Sequence, residues 1–352
     1  MGRVTLQTVA DRVGVSRMTV SNAFSRPDQL SAPLRGRILA AAEELGYVGP
    51  DPAARALARG TTGSVGVLLT DSLTFAFTDE VATRFLGAIT AELAPSGLAL
   101  TLLSSSAAGE VVPARDVPMD GALVYSCDSD SAAVDWLNRR GLPVVYVDQT
   151  PVPGASSVNV DDRGGARAAA EHLVELGHRR VAILTSEKAG PHGVEVAPDL
   201  PSYHHVSRQR MLGWLDALIP AGVEPLVIRV PLKSEEAAYA AATALLDRQR
   251  PPTALLCFSD VLARGALRAA DDAGMRIPED LSVVGFDDNP LGRRMRPALT
   301  TVRQDVAGKG RAATSALIAA IDSARSGETV PPRQMLLPTE LVVRDSTGPA
   351  PS

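Results

Sequence analysis

From Ser64 onward, short apolar runs alternate with longer stretches of helical periodicity. That alternation restricts the possible folds more than any other feature of the chain. Apolar runs begin near Val65, Leu98, Gly121, Pro143, Arg180, Leu226, Ala254 and Leu281. Between them, stretches such as Val81–Leu93, Arg163–Leu176, Ser207–Leu218 and Val261–Ala273 repeat apolar residues at helical spacing. A strand buried on both faces reads as a short continuous run, so the pattern predicts parallel sheets with helices on both sides. The strands are too many for one ordinary sheet, so two doubly wound α/β lobes are expected. The 352 residues suffice for two or three domains, and 45% apolar composition supports a sizeable core. No apolar run reaches membrane-spanning length and no apolar leader opens the chain, which predicts a cytoplasmic protein without membrane contact. Cys127 and Cys257 both end predicted strands and read as small buried residues, with no disulfide expected.

The first sixty residues differ in kind. Leu6, Val9, Ala10 and Val13 repeat at helical spacing behind Thr5, a natural cap. Gly14 supplies a turn at positive φ, and Ser16 stands where a second helix, from about Arg17 to Phe24, needs its N-cap. Two short helices joined by a glycine turn can set the second into the DNA major groove. A helical hairpin with no DNA role shares that spacing. A third helix is expected behind Ser31, with Pro33 in its first turn, a stripe of Leu34, Ile38, Ala41 and Leu45, and Gly46 as its end. Arg17 and Met18 fall on the solvent side of the second helix, and Asn22 lies one turn beyond Met18. Arg pairs bidentately with guanine and Asn with adenine. The net charge of -5 conceals a split. Residues 1–60 hold eight Arg, no Lys and five acidic residues, a charge of +3, which leaves -8 on the remainder. A basic head on an acidic body suits a DNA-binding unit joined to a ligand-binding one.

The run T-L-Q-T-V-A-D-R-V-G-V-S-R-M-T-V-S-N from Thr5 to Asn22 resembles the N-terminal signature of the LacI family of transcriptional regulators. Thr8, Val13 and Asn22 depart from that pattern, the last at a base-reading position. The resemblance continues through Val160–Leu184, S-V-V-G-F-D-D at Ser282–Asp288 and L-T-T-V-R-Q-D at Leu299–Asp305. It implies a helix-turn-helix domain over residues 1–48, a hinge helix or linker over 49–62, and an effector-binding and dimerisation body over 63–345. The body would resemble a periplasmic sugar-binding protein, with crossovers near 160, 290–305 and 330. Candidate DNA contacts are Thr5, Ser16, Arg17, Met18 and Thr19, followed by Ser21, Asn22 and Arg26. In the hinge they are Ala54 and Leu57, and the family places Leu57 as a wedge in the minor groove. The hinge segment is too short to be a stable helix alone, so it is expected to order only when two copies meet on DNA.

Ligands of open α/β sheets bind at the carboxyl ends of strands. Asp71, Tyr125, Asp148, Ser259 and Asp287 stand there. Phe75 and Phe77 follow the first strand, and the helix after the long loop carries Arg208 and Arg210. The family implies effector contacts at Asp71, Phe77, Tyr125, Arg210, Ser259 and Asp287, although Ser259 replaces the frequent Asn. Carboxylates, a guanidinium and an aromatic face suit a polyhydroxylated ligand, a sugar or a nucleoside. Residues 104–118 leave little room for a helix. The loop 186–206 is long and carries His192, His204 and His205, whose irregular spacing argues for a solvated loop over a metal site. The expected function is a homodimeric regulator, a repressor, on a pseudo-palindromic double-stranded operator. Two other classes fit less well. A solute-binding protein of a transport system would not carry a basic head. A nucleotide-using enzyme would need a glycine-rich phosphate loop, and Asp71-Ser-Leu-Thr after the first strand has none. No catalytic residue, cofactor or metal is expected.

Overall fold

The computed structural model describes residues 4–351 except 70–72, 106–111, 127–130, 188–191, 196–199, 201–202 and 329. Two compact units form, residues 1–63 and 64–352. In the first, α1 (Leu6–Val13) begins at Thr5, whose hydroxyl accepts from Thr8 N in a reciprocal capping box. Gly14 ends it at φ +77°. The α2 helix (Arg17–Ser25) begins at Ser16, whose Oγ accepts from Thr19 N at 3.0 Å. The third helix, α3 (Ala32–Glu44), starts after Ser31, but that hydroxyl makes no capping bond, and Pro33 fills the first turn instead. Val9, Ala10, Val20, Ala23, Ile38 and Ala42 close the core between the three helices. The ring of Phe24 meets Tyr47 edge to face at 5.7 Å.

The hinge departs from expectation. Residues Pro52–Arg59 form a helix, α4, in the single chain. Local chemistry accounts for it: Asp51 Oδ1 accepts from Ala54 N at 3.3 Å, Pro52 takes the first position, and alanines follow.

The second unit contains two lobes. Lobe 1 runs β1 (Ser64–Leu69), α5 (Phe75–Thr78), α6 (Glu80–Leu93), β2 (Ala99–Ser104), α7 (Pro113–Asp116), β3 (Gly121–Tyr125), α8 (Ala132–Arg139), β4 (Val144–Val147) and β5 (Ser156–Val160). Lobe 2 continues α9 (Asp162–Glu175), β6 (Val181–Ser186), β7 (Gly193–Glu195), α10 (His205–Leu218), β8 (Leu226–Val230), α11 (Glu235–Leu246), β9 (Ala254–Cys257), α12 (Asp260–Asp272), β10 (Ser282–Asp287) and β11 (Thr300–Gln304). Then come α13 (Val306–Ser326), β12 (Gln334–Leu337) and β13 (Thr339–Val342). One sheet has the order β12-β5-β4-β3-β1-β2 with every pair parallel. The other has the order β13-β11-β10-β9-β6-β8-β7 and is parallel except at its two edges. The chain therefore crosses between lobes after β5, after β11, and between β12 and β13.

Each sheet is covered on both faces. Phe85, Ile89, Leu123, Val145 and Leu317 pack beneath α6 and α13, while Leu68, Met119, Val124, Leu137 and Tyr146 pack beneath α7 and α8. In lobe 2, Leu255, Leu262 and Val283 fill one face and Trp214, Met211 and Phe286 the other. Among the described residues no helix is long and apolar enough to cross a membrane. Cys257 is buried at the end of β9, and burial pushes its thiol up. Cys127 lies outside the described residues.

Candidate functional site

A cavity of about 520 Å³ opens where the strand order reverses in both sheets. Leu69 and Tyr125 end β1 and β3 there, and Ser186 and Phe258 stand at the ends of β6 and β9. These are the positions at which doubly wound sheets leave a crevice for a ligand. Asp148, Glu187, Arg210, Lys233 and Asp287 complete its charged wall. Backbone conformation marks the same rim. Among the described residues, the non-glycine positions with positive φ are Ser126, Asp148, Asp287 and Asp288, all directly after or at the end of a strand. Such conformations persist where surrounding structure holds them, and they cluster at ligand sites.

Arg210 is the centre of lobe 2's wall. Its guanidinium lies 3.5 Å from the centroid of Phe286 and 4.6 Å from that of Phe258. Its Nε donates to Asp162 Oδ1 at 2.8 Å, Nη1 donates to the carbonyl of Phe258, and Nη2 lies 3.6 Å from Asp287 Oδ1. Asp287 also accepts from Gln304 Nε2 at 2.7 Å. Burial pushes Asp162 up to about 6 against the pull of Arg210, and raises Asp287 by the same cause. Lys233, also on the wall, pairs with Asp79. The two ends of the long loop meet here as well. Glu187 Oε2 lies 3.6 Å from His204 Nε2, and burial raises the Glu187 carboxyl.

Asp288 is turned away from this wall. Burial opposes its charge, but bonds from Arg293, Arg303 and Arg344 outweigh that and hold it below the usual range. Asp260, at the start of α12, accepts from Asn289 N at 2.7 Å and from Thr301 Oγ1. Burial, with Asp287 nearby, pushes it up to about 8. The folded chain therefore keeps a proton that an unfolded carboxyl sheds near 3.8. The stability due to that proton is present at low pH and is lost as pH rises through the window from about 4 to about 8. Between pH 5.5 and 7.5 the parent should lose about 1 kcal/mol per unit relative to Asp260→Asn. Urea midpoints of both proteins at the two pH values check this. Parallel profiles would mean that Asp260 is ionised in the fold.

Of the residues expected at an effector site, Tyr125, Arg210 and Asp287 line the cavity. Three others do not. Ser259 is fully buried as the N-cap of α12, its Oγ accepting from Leu262 N at 3.3 Å. Arg208 sits two residues from Arg210 on α10, a rotation of about 200° on a helix, and donates to Thr150 Oγ1 instead. Phe77 is 69% exposed on α5, outside the cavity wall. Asp71 and the side chain of Phe75 lie outside the described residues. Sequence reasoning missed Glu187, His204, Lys233, Phe258 and Gln304. The strand-end rule could have found Glu187, Phe258 and Gln304, since each ends or directly follows a strand. Among the described residues no group of His, Cys, Asp or Glu suits a metal.

In the head, Arg17, Arg26 and Met18 are exposed, Met18 at 69%. Ser16 and Thr19 bond to each other, and Thr5 is tied into the cap of α1. Ser21 and Asn22 are half-buried on α2, and Asn22 Nδ2 donates to Gln29 Oε1 at 3.1 Å. Ala54 and Leu57 are exposed on α4, Leu57 at 87%.

Residues 5–49 match the model of bacterial regulatory proteins of the lacI family, and residues 170–347 match a periplasmic binding protein-like domain. A helix-turn-helix-type transcriptional regulator of Mycolicibacterium smegmatis is 38% identical over 88% of this chain and 89% of its own. The lac repressor dimer bound to operator and the anti-inducer ONPF superposes with a TM-score of 0.78 at 28% identity, covering 99% of this chain and 100% of that one. The complex of the transcriptional regulator CelR with cellobiose gives 0.69 at 28% identity, covering 98% and 100%.

Proposed function

Because the chain belongs to the LacI family of bacterial transcriptional regulators, we propose that a small polar effector, bound between its lobes, sets its affinity for operator DNA. The protein is a DNA-binding regulator, neither a transport component nor an enzyme. The observation that carries the effector reading is the cavity, which gathers Asp148, Glu187, Arg210 and Asp287 at the switch points of both sheets. Carboxylates accept from ligand hydroxyls, and a guanidinium donates a fork of bonds. A sugar or a nucleoside suits that wall, and the solved relative that holds cellobiose supports the sugar.

In this reading residues 1–48 bind DNA, 49–62 form the hinge, and 63–345 carry effector binding and dimerisation. The protein works in the cytoplasm as a homodimeric repressor, since a helix-turn-helix dimer reads two half-sites of a pseudo-palindrome. Arg17, Met18 and Asn22 face the groove; Thr5, Ser16, Thr19, Ser21 and Arg26 contact the backbone; Ala54 and Leu57 meet the minor groove. Asn22 exchanges its bond to Gln29 for an adenine edge. Asn22→Ala should relax one base pair per half-site by about 1–3 kcal/mol of discrimination, read by binding to an operator library. Unchanged preference at every position would remove Asn22 from the readout. The reading as a whole is tested by a mobility shift on the chain's own upstream DNA, titrated with sugars and nucleosides at fixed salt. No shift at low salt would defeat the DNA half, and a bound compound without effect on the shift would defeat the effector half.

A further inference from the structure

Lys309 is among the largest side chains that are fully buried, at 1% exposure. Lysine is rarely so deep unless paired. It projects from α13 beside the stacked rings of Phe85 and Tyr125, whose centroids are 4.6 Å apart. Its Nζ lies 6.0 and 5.8 Å from those centroids. The ammonium donates to Asp148 Oδ2 and, at 3.1 Å, to Gln304 Oε1. Gln304 in turn donates to Asp287. One buried cation thus links the end of β4 in lobe 1 to the ends of β11 and β10 in lobe 2.

The other oxygen of Asp148 points to a ligand. Asp148 lines the cavity and is 6% exposed, yet its Oδ1 is buried with no hydrogen-bond partner among the described residues. A buried acceptor left without a donor is costly, and a ligand hydroxyl supplies one. We propose that Lys309 is a positioning residue of the effector site: it fixes Asp148 and Gln304 so that a carboxylate oxygen receives a ligand hydroxyl, and it sets the site for an uncharged polyol over a phosphorylated one. This rests on the effector reading above and narrows it.

The selectivity follows from how the cations are engaged. Arg210 is held by Asp162 and the Phe258 carbonyl, Lys233 by Asp79, and Lys309 by Asp148. Glu187, Asp148 and Asp287 face the same cavity. A phosphate would have to break one of these buried pairs, which is expensive, and would face three carboxyls. A hydroxyl joins the wall without displacing anything.

The test takes the full chain and six probes: D-glucose, D-ribose, cellobiose, glucose 6-phosphate, ribose 5-phosphate and adenosine, read by thermal shift and calorimetry. At least one free sugar should bind, with any phosphorylated counterpart tenfold weaker or more. Lys309→Met and Asp148→Asn should each weaken that sugar by roughly tenfold to a hundredfold. The double variant should lose no more than either single one, because both act through the same carboxylate. Should Lys309→Met fail to melt cooperatively, the double variant, which removes both charges, is compared with Asp148→Asn alone. Tighter binding of a phosphorylated probe, or of adenosine only, would overturn the inference and leave the effector reading standing. Parental affinity in folded Lys309→Met, or additive losses, would overturn it too. Silence from all six probes would count against the effector reading itself, and the inference would fall with it.

Discussion

Arg210→Met lowers the unfolding free energy of the body by about 3–5 kcal/mol at neutral pH. The guanidinium is buried between two aromatic rings and holds two carboxyls, Asp162 and Asp287, that are buried themselves. Truncation leaves both without their cation. Methionine keeps the apolar volume of the stem, so the loss reports the pairing more than a cavity. Protonation softens the loss: Asp162 already sits near 6, and without Arg210 it moves higher. The cost should therefore be smaller at pH 5.5 than at pH 7.5. Urea unfolding at both values measures it. A cost under about 1 kcal/mol at pH 7.5 would mean that packing of α10 against α9, and not the ion pairs, holds this wall.

Leu57→Ala weakens operator binding by about a hundredfold to ten-thousandfold. Leu57 is a large apolar side chain that stands 87% exposed on α4. Burying a leucine contributes about 1.5–3 kcal/mol. A dimer inserts two, for about 3–6 kcal/mol, at 1.4 kcal/mol per decade. The bend that such wedges produce also brings further backbone contacts. Effector affinity should stay parental, since the cavity lies wholly in the second unit. Operator titrations at one salt concentration decide the matter. Equal affinity of variant and parent would show that the hinge does not insert.

Eight strands, β1–β4, β6 and β8–β10, are legible because parallel strands buried on two faces leave short apolar runs. Strands β5, β7, β11, β12 and β13 are not legible in that way; in β5, Ser156-Ser157-Val158-Asn159 carries polar residues that are buried by tertiary contacts, as in the bond from Asn159 Nδ2 to the Gln149 carbonyl. Helix α13 is not legible in the same way, since Gly308 and Gly310 in its first turns weaken the helical signal. Gly310 is there for packing, since a Cβ would come within 2.6 Å of Ala88 on α6. In the site, Arg210 and Asp287 could be picked out from their place after the loop and at a strand end. Lys309 could not, because nothing in a run of Gly and Ala tells which side chain will face a carboxylate 161 residues away. Ser259 stands two residues beyond the end of β9, where it opens a helix and its hydroxyl goes to the cap.

The three crossings between lobes limit how the body can move. On lobe 1 two of them belong to β5 and β12, paired neighbours at one sheet edge, and on lobe 2 to β11 and β13, likewise paired at an edge. Two rigid bodies joined by one tether keep most of their relative freedoms. Three short tethers side by side leave little besides rotation about the line that they define. Lateral sliding and free twisting would stretch backbone that has no slack. A ligand in the cavity, on the open side of that line, then has one mechanical coordinate to act on, the angle between the lobes. Different ligands then differ in where they set that angle.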